Sequence, residues 1–440
     1  MSRHRARRTT ALPLFLLAFA VGLPVNAGPT EVLTLDQALT LARKANRNLV
    51  AERARLAQAQ ANLEQAWTMF FPTVTAQGKY TRNNIAFIFA LPSDNPAGGS
   101  PSILTIQPTN QLDGAISFTA PLLLPTAVPG LDAAKASTHA SQADYQTSEA
   151  VVLFAVAQAY YAAAIADEVV TARQSSIEVA RATLTNAQQR FAAGTVTKVD
   201  VDRAELALVR AEQAARDARQ GHDQAYRALA TLVQTQPSFQ VAPLAPPSGP
   251  SAPQDLEMAL ELRPEFRALG LTARALAAAQ RVYAWRWAPS LSAFGSARAF
   301  NYDNFARQHH AWAVGAELDW ALFDGGVRDA QRHLAEAQAR ETLARAEALR
   351  DSIRDDLANT RDLLETKRHA QEAAERQVEL ALETLDLVRA QYAAGSSAEL
   401  DLLQAQDGLT TAKEALAQAH FEVAVADLSL RRAAGTFPGK

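Results

Sequence analysis

The chain states one plan twice, and that repetition limits its folds more than any other feature. FAAGTVTKVDVDRAE begins at Phe191 and YAAGSSAELDLLQAQ at Tyr392, so Gly194 and Gly395 stand 201 positions apart. The same offset carries Ile177, Ala180, Leu184, Ala187 and Phe191 onto Val378, Ala381, Leu385, Val388 and Tyr392. Beyond the glycines it carries Asp200, Val201, Ala204 and Leu208 onto Asp401, Leu402, Ala405 and Leu409. Apolar residues at steps of three and four make a helical seam before each glycine and another after it. A glycine at such a break ends a helix in the left-handed conformation. Thr197-x-x-Asp200 and Ser396-x-x-Glu399 read as capping boxes that restart the chain as helix. Each copy is therefore a helix-turn-helix tip, near 194–200 and near 395–401.

The outer parts of the repeat match with a second offset, 217, which pairs Pro72 with Pro289. A helix runs up to each proline and stops. Alternation follows, with Val74, Ala76 and Gly78 on one face in the first copy and Leu291, Ala293 and Gly295 in the second. Period two means strand. Return strands are read in LDGAISFTAPLLLP and AWAVGAELDWALFDGG, giving one β-hairpin per half, about 72–124 and 289–323. The offsets differ by 16 residues, and this excess is assigned to a long loop, RNNIAFIFALPSDNPAGGSPSILTIQPTN, that includes NPAGGS at 95–100. The first repeat is placed at 28–236, a proline-rich linker at 237–253 and the second repeat at 254–440.

Pro129 to Gly194 and Gly326 to Gly395 are uninterrupted helical patterns. At ~1.5 Å per residue each would reach on the order of 100 Å. Four strands cannot close a barrel, and an open sheet edge cannot face lipid. Three chains would supply twelve strands and could close one. Phe70, Phe71, Phe118, Trp285, Trp287, Trp312 and Trp320 lie near the hairpins and read either as membrane-interface girdles or as hairpin core.

The N-terminal stretch MSRHRARRTTALPLFLLAFAVGLPVNAG has four arginines, a short apolar run and a small-residue end, which predicts a secretory signal at 1–27. Its removal takes the net charge from -3 to -7. No other stretch is expected to approach the ~20 apolar residues of a membrane-spanning helix. The chain has no cysteine, so neither disulfides nor a lipid-modified N-terminal cysteine is expected.

LTLDQALTLARKANRNL at Leu33, the helix-proline-strand joints at Pro72 and Pro289, WALFDGG at Trp320 and the two AAG…D tips form an ordered set spanning essentially the whole mature chain. This set resembles the TolC-type outer-membrane efflux protein family. The resemblance implies a mostly α fold with a β-barrel part: long antiparallel helices forming a periplasmic helical barrel, and four strands per chain in a trimeric twelve-stranded barrel. It implies a homotrimer in outer-membrane lipid, docked to a periplasmic adaptor and an inner-membrane pump, acting as the outer-membrane channel of a tripartite efflux or secretion system. In family members the second tip carries two acids three apart. Here Asp401 matches the first, Gln404 stands at the second, and Ser397 occupies a place where an arginine can latch the closed state.

Asp401 and Asp200 each have two readings. Three symmetry copies of an acid at a narrow mouth would attract cations, or each acid simply complements a helix N-terminus. The gate reading leads for Asp401 and the capping reading for Asp200. Gly194, Thr195, Gly395, Ser396 and Ser397 form the tip turns and the expected adaptor-docking surface. His309 and His310 are adjacent and would point to opposite faces of a strand, so no metal site is expected. No nucleophile elbow, zinc-helix motif or phosphate loop occurs, so neither an enzyme nor a cofactor site is expected. Basic residues are interspersed with acids, which argues against nucleic-acid binding. The competing reading is an exported periplasmic coiled-coil scaffold or adaptor without a pore. It accounts for the helices but not for two symmetrically placed hairpins.

Overall fold

The computed structural model describes residues 32–91, 102–243, 255–302 and 308–437. The signal segment at 1–27 and NPAGGS at 95–100 lie outside the described residues. The first half runs β1 (Val32–Leu33), α1 (Leu35–Ala45), α2 (Arg47–Thr68), β2 (Thr73–Arg82), β3 (Phe87–Leu91), β4 (Ser102–Gln107), β5 (Asn110–Leu123), α3 (Ala127–Ala192) and α4 (Lys198–Val233). After β6 (Gln240–Val241), the second half runs α5 (Leu256–Leu262), α6 (Pro264–Trp285), β7 (Ser290–Phe300), β8 (His310–Asp319), α7 (Val327–Ala393) and α8 (Glu399–Ala433).

Each half is built on one helix of great length. α3 has 66 residues and α7 has 67, about 100 Å at ~1.5 Å per residue. Two shorter helices lie end to end along each: α2 and α4 along α3, α6 and α8 along α7. In the first half many of the seam residues are small. Ala140, Ala143, Ala180 and Ala187 of α3 are buried, as are Ala204, Ala211 and Ala215 of α4. Alanine costs no side-chain entropy on burial and favours helix, so a seam of alanines brings backbones close while keeping the helix stable.

The gap between the two short helices is closed by equivalent bonds in the two halves. At the α1–α2 junction, Asn46 caps α2 through its Oδ1, and its Nδ2 donates to the Leu232 carbonyl near the end of α4 at 2.9 Å. At the α5–α6 junction, Arg263 takes that place. Its Nη1 reaches the Ala433 carbonyl at the end of α8 at 3.5 Å, and its Nε donates to Glu265 at 2.5 Å. The repeat offsets map Asn46 onto Arg263 and Leu232 onto Ala433.

The main core lies at this waist. Leu153, Val156, Ala157, Tyr160, Tyr161 and Ala164 of α3 pack with Ala38 and Ala42 of α1, Leu229 and Val233 of α4, and Leu428 of α8. α3 contains an 18-residue window of mean hydropathy 1.6, which corrects the expectation that no second segment would be so apolar. The run Ala150–Ala166 supplies the waist core, and core burial accounts for its character. The proline-rich linker also needs correction at its start. Gln240–Val241 pairs in parallel with Val32–Leu33, and Val241 is buried. Residues 244–254 lie outside the described residues.

Strands β2, β5, β7 and β8 form one antiparallel sheet in the order β2-β5-β7-β8, at the end remote from the tips. The long first loop is not irregular throughout: β3 and β4 pair as a second small hairpin. The run IAFIFA hid this strand, because apolar residues on both faces show no period of two.

Replacing fully buried Leu229 with alanine opens a cavity at the waist. A loss of about 2–5 kcal/mol is expected, read as a lower urea midpoint with an unchanged slope.

Candidate functional site

The sheet sorts its side chains by face with little exception. Register pairs Val74 with Phe118, Ala76 with Ile116 and Tyr80 with Leu112. It pairs Phe118 with Gly295 and Ile116 with Ala297, then Ala297 with Trp312, Gly295 with Val314 and Leu291 with Leu318. Cross-strand partners share a face, so this face is apolar from β2 to β8. The opposite face carries Thr75, Gln77, Lys79, Asp113, Ser117, Ser296, Arg298, Glu317 and Asp319. Phe294 and Phe300 are its aromatic members, and the Phe294 ring lies where a side chain on Gly315 would stand, 2.9 Å from an ideal Cβ.

The apolar face is open. Trp312 is 74% exposed and Val314 75%. A ten-residue strand tilted as in a barrel spans roughly 25 Å, the height of an outer-membrane hydrocarbon layer. Aromatics collect at the helix–strand joints, where Trp67, Phe70, Phe71, Trp285, Trp287 and Trp320 are all exposed. Phe118 and Trp312 are exposed too, so the hairpin-core reading of the aromatics is overturned. Trp320 Nε1 donates to the Trp287 carbonyl at 3.0 Å, and the two rings meet edge to face. The two edges of the sheet, β2 and β8, have no strand partner among the described residues.

At the other end, the structure brings the two tips together. Gly194 and Gly395 have φ +74° and +73°. Thr195 N–H donates to the Arg190 carbonyl and Ser396 N–H to the Gln391 carbonyl, both at 2.9 Å. These are Schellman closures, and a left-handed residue is what makes them possible. Thr195 and Ser396 hydroxyls bond the same two carbonyls, at 2.9 and 3.1 Å.

Asp200 lies in the first turn of α4 and accepts from the Thr197 N–H at 2.9 Å and hydroxyl at 2.7 Å. These bonds hold its carboxyl below the usual range. Their contribution is present above the ordinary carboxylate value and is lost as pH falls through the lowered one. At the second tip, the expected Ser396–Glu399 box does not form. The N-cap is Ala398, the 201-offset partner of Thr197, and Asp401 occupies the place of Asp200. Asp401 accepts from the Ala398 N–H at 3.0 Å. Alanine has no hydroxyl, and Ser397 Oγ donates to Asp401 instead at 2.9 Å. Both candidate gate acids therefore also serve as first-turn caps. Gln404 is exposed one turn further on.

The tips are tied to each other through α3 and α8. Gln406 Nε2 donates to Thr183 Oγ1 at 3.2 Å, and Arg173 Nη2 to Glu414 at 2.6 Å. Among the described residues, no group of three or more histidines or acids is placed to hold a metal. His309 Nδ1 lies 3.2 Å from the Tyr302 carbonyl, and His310 begins β8 opposite Ala299.

A sequence profile described as outer membrane efflux protein matches residues 38–234 and 256–436. The chain belongs to the outer membrane efflux protein family. It is 30% identical over 229 residues to outer membrane protein OprJ of Pseudomonas aeruginosa, covering 50% of this chain and 47% of that protein. It is 25% identical over 299 residues to nodulation protein T of Rhizobium leguminosarum bv. trifolii, covering 66% and 64%. The aligned stretch thus spans about half of OprJ and under two thirds of nodulation protein T. The fold is similar to that of the CmeC outer membrane channel of Campylobacter jejuni, with TM-score 0.76, 18% identity, and 91% and 85% of the two chains covered. It is also similar to the outer membrane protein VceC of Vibrio cholerae, with TM-score 0.74, 19% identity, and 91% and 96% covered. The fold class is thus that of the efflux channels: long helices continued by a small antiparallel sheet.

A charge on the apolar face should be far more harmful than one on the polar face. Val314→Arg is expected to cost about 2–4 kcal/mol at mid-sheet, as for lipid-facing barrel positions. Gln77→Arg should be close to neutral, both measured by urea unfolding of protein folded into lipid vesicles.

Proposed function

We propose that this efflux-family chain is a passive conduit across the outer membrane, built by three copies and continued into the periplasm by its long helices. The observation that carries the reading is the four-stranded sheet with one apolar face, one polar face and two open edges. A sheet edge in hydrocarbon leaves backbone groups unsatisfied, so only closure makes this sheet viable there. β2 and β8 run in opposite senses, so β8 of one copy can pair antiparallel with β2 of the next. Three copies supply twelve strands, an even number that suits a barrel. The apolar face then meets lipid and the polar face lines a water-filled passage. OprJ is named as an outer membrane protein and CmeC as an outer membrane channel, which supports the location.

In this reading the six tips of three chains surround the periplasmic mouth. Gly194, Thr195, Gly395, Ser396 and Ser397 form the surface that meets the helical hairpins of a periplasmic adaptor, which couples the conduit to an inner-membrane pump. Asp401 supplies a ring of three charges at the mouth, with Gln404 beside it and Asp200 at the neighbouring tip. The role is transport without catalysis.

Mass measurement in detergent should give three chains per particle, and a stable monomer there would overturn the barrel. Conductance of vesicles holding the protein separates the conduit from a poreless scaffold. Asp401→Ala removes three negative charges, so its single channels should show weaker cation preference at low salt, where screening is least. Selectivity equal to the parent would leave Asp401 only its capping role.

A further inference from the structure

One acid at the tips is used neither for capping nor for pairing. Glu399, the first residue of α8, is only 4% exposed, and neither carboxylate oxygen has a hydrogen-bond partner. The hydroxyl of neighbouring Tyr392 on α7 is likewise buried and unpartnered. Two cations stand near, and both are engaged. The Arg190 guanidinium of α3 lies over the Tyr392 ring at 4.5 Å, and Arg203 of α4 is 3.7 Å from Asp200. Below Glu399 the tip is apolar, with Leu385, Tyr392 and Leu402 forming its core. The equivalent position in the other repeat is Lys198, which is exposed. The turn itself therefore does not require this side chain to be buried.

We infer that Glu399 is a proton-responsive latch holding the two tips of one chain together, packed when its carboxyl is neutral and driven out when it ionises. An ionised carboxylate without a partner is among the costliest groups to bury, whereas the neutral acid costs far less. The groups facing it are Arg190 from α3, Asp200 and Arg203 from α4 and Tyr392 from α7, with Asp401 on its own helix. Burial pushes the Glu399 carboxyl up and the negative charge of Asp200 adds to this, against the pull of Arg190 and Arg203. The sign follows. The packed tip holds its proton more tightly than the loosened one, so packing is fully favoured below the ordinary carboxylate value. It is lost as pH rises through the raised value. Glu399 opens α8, so its exit shifts the helix start and moves Asp401 two residues on. The effect on a channel rests on the reading of the tips as the mouth; the latch itself does not.

The test is amide hydrogen exchange of residues 398–404 in the detergent-solubilised full-length protein between pH 5 and 8, corrected for intrinsic exchange. Protection in the parent should fall with pH, by up to about tenfold per unit within the transition. E399Q, isosteric with the protonated acid, should stay protected throughout. Y392F, which removes the buried hydroxyl beside the packed carboxyl, should shift the transition to higher pH. A flat profile in the parent, or equal slopes in parent and E399Q, overturns the latch. Single-channel open probability over the same range supplies the second readout. If exchange responds to Glu399 and opening does not, the latch stands and the tips are not the mouth.

Discussion

Everything in this fold hangs on the close contact of one very long helix with two shorter ones. A helix of some 66 residues gains nothing from length alone, since most helix stability in proteins comes from a packed face. α3 obtains that face from a seam in which alanine predominates, so its neighbours approach with little volume to fill, whereas α7 buries Ile353, Leu357, Leu364 and Leu385 beside Ala335 and Ala374. The weak point is where the two short helices meet. There Asn46 and Arg263 each cross to the last turn of the opposite short helix and satisfy a carbonyl that would otherwise be bare. The waist core gathers around the same point, so the apolar residues are concentrated where helix continuity is broken.

The tips show how one backbone device accepts different chemistry. Both use a left-handed glycine and a first-turn aspartate. The hydroxyl that meets the aspartate comes from the N-cap itself in one tip and from the preceding serine in the other. The acids differ in what they ask of pH. Donors pull the Asp200 carboxyl down, whereas burial pushes the Glu399 carboxyl up. One tip contribution thus weakens towards acid and the other towards alkali.

Much of this was legible in the sequence, for physical reasons that can be named. Glycine and proline punctuate helices by their backbone limits, so Gly194, Gly395, Pro72 and Pro289 marked the long helices and the joints to the strands. Period two in TVTAQGKY and SLSAFGSA marked strands with two unlike faces. Other elements escaped. β1 and β6 have two residues each, too few for any period to register. The burial of Glu399 also escaped, although stepping back from Leu409 and Leu402 by the seam spacing lands on it. A glutamate three residues after a serine looked like a cap, and the local pattern prevailed over the 201 offset that pointed to Asp401.

The joining of β5 to β7 has a consequence in time. Asp113 pairs with Phe300 and Ala120 with Ala293, so the centre of the sheet is made by segments far apart in the chain. The helix hairpins α3–α4 and α7–α8 are local by comparison. Contacts between distant segments form late, because loop-closure entropy must be overcome first. Each helix hairpin can therefore form from its own neighbours in the chain, while the central strand pair, like the packing of α3 against α6 and α8, waits for the second half to be made. Until then the apolar faces of β2 and β5 lack the partner strand β7. A half-synthesised chain carries β2 and β5 as an isolated ribbon, marginal in water. Its vulnerable period is set by how far apart the pairing segments lie in the chain rather than by the strength of any single contact.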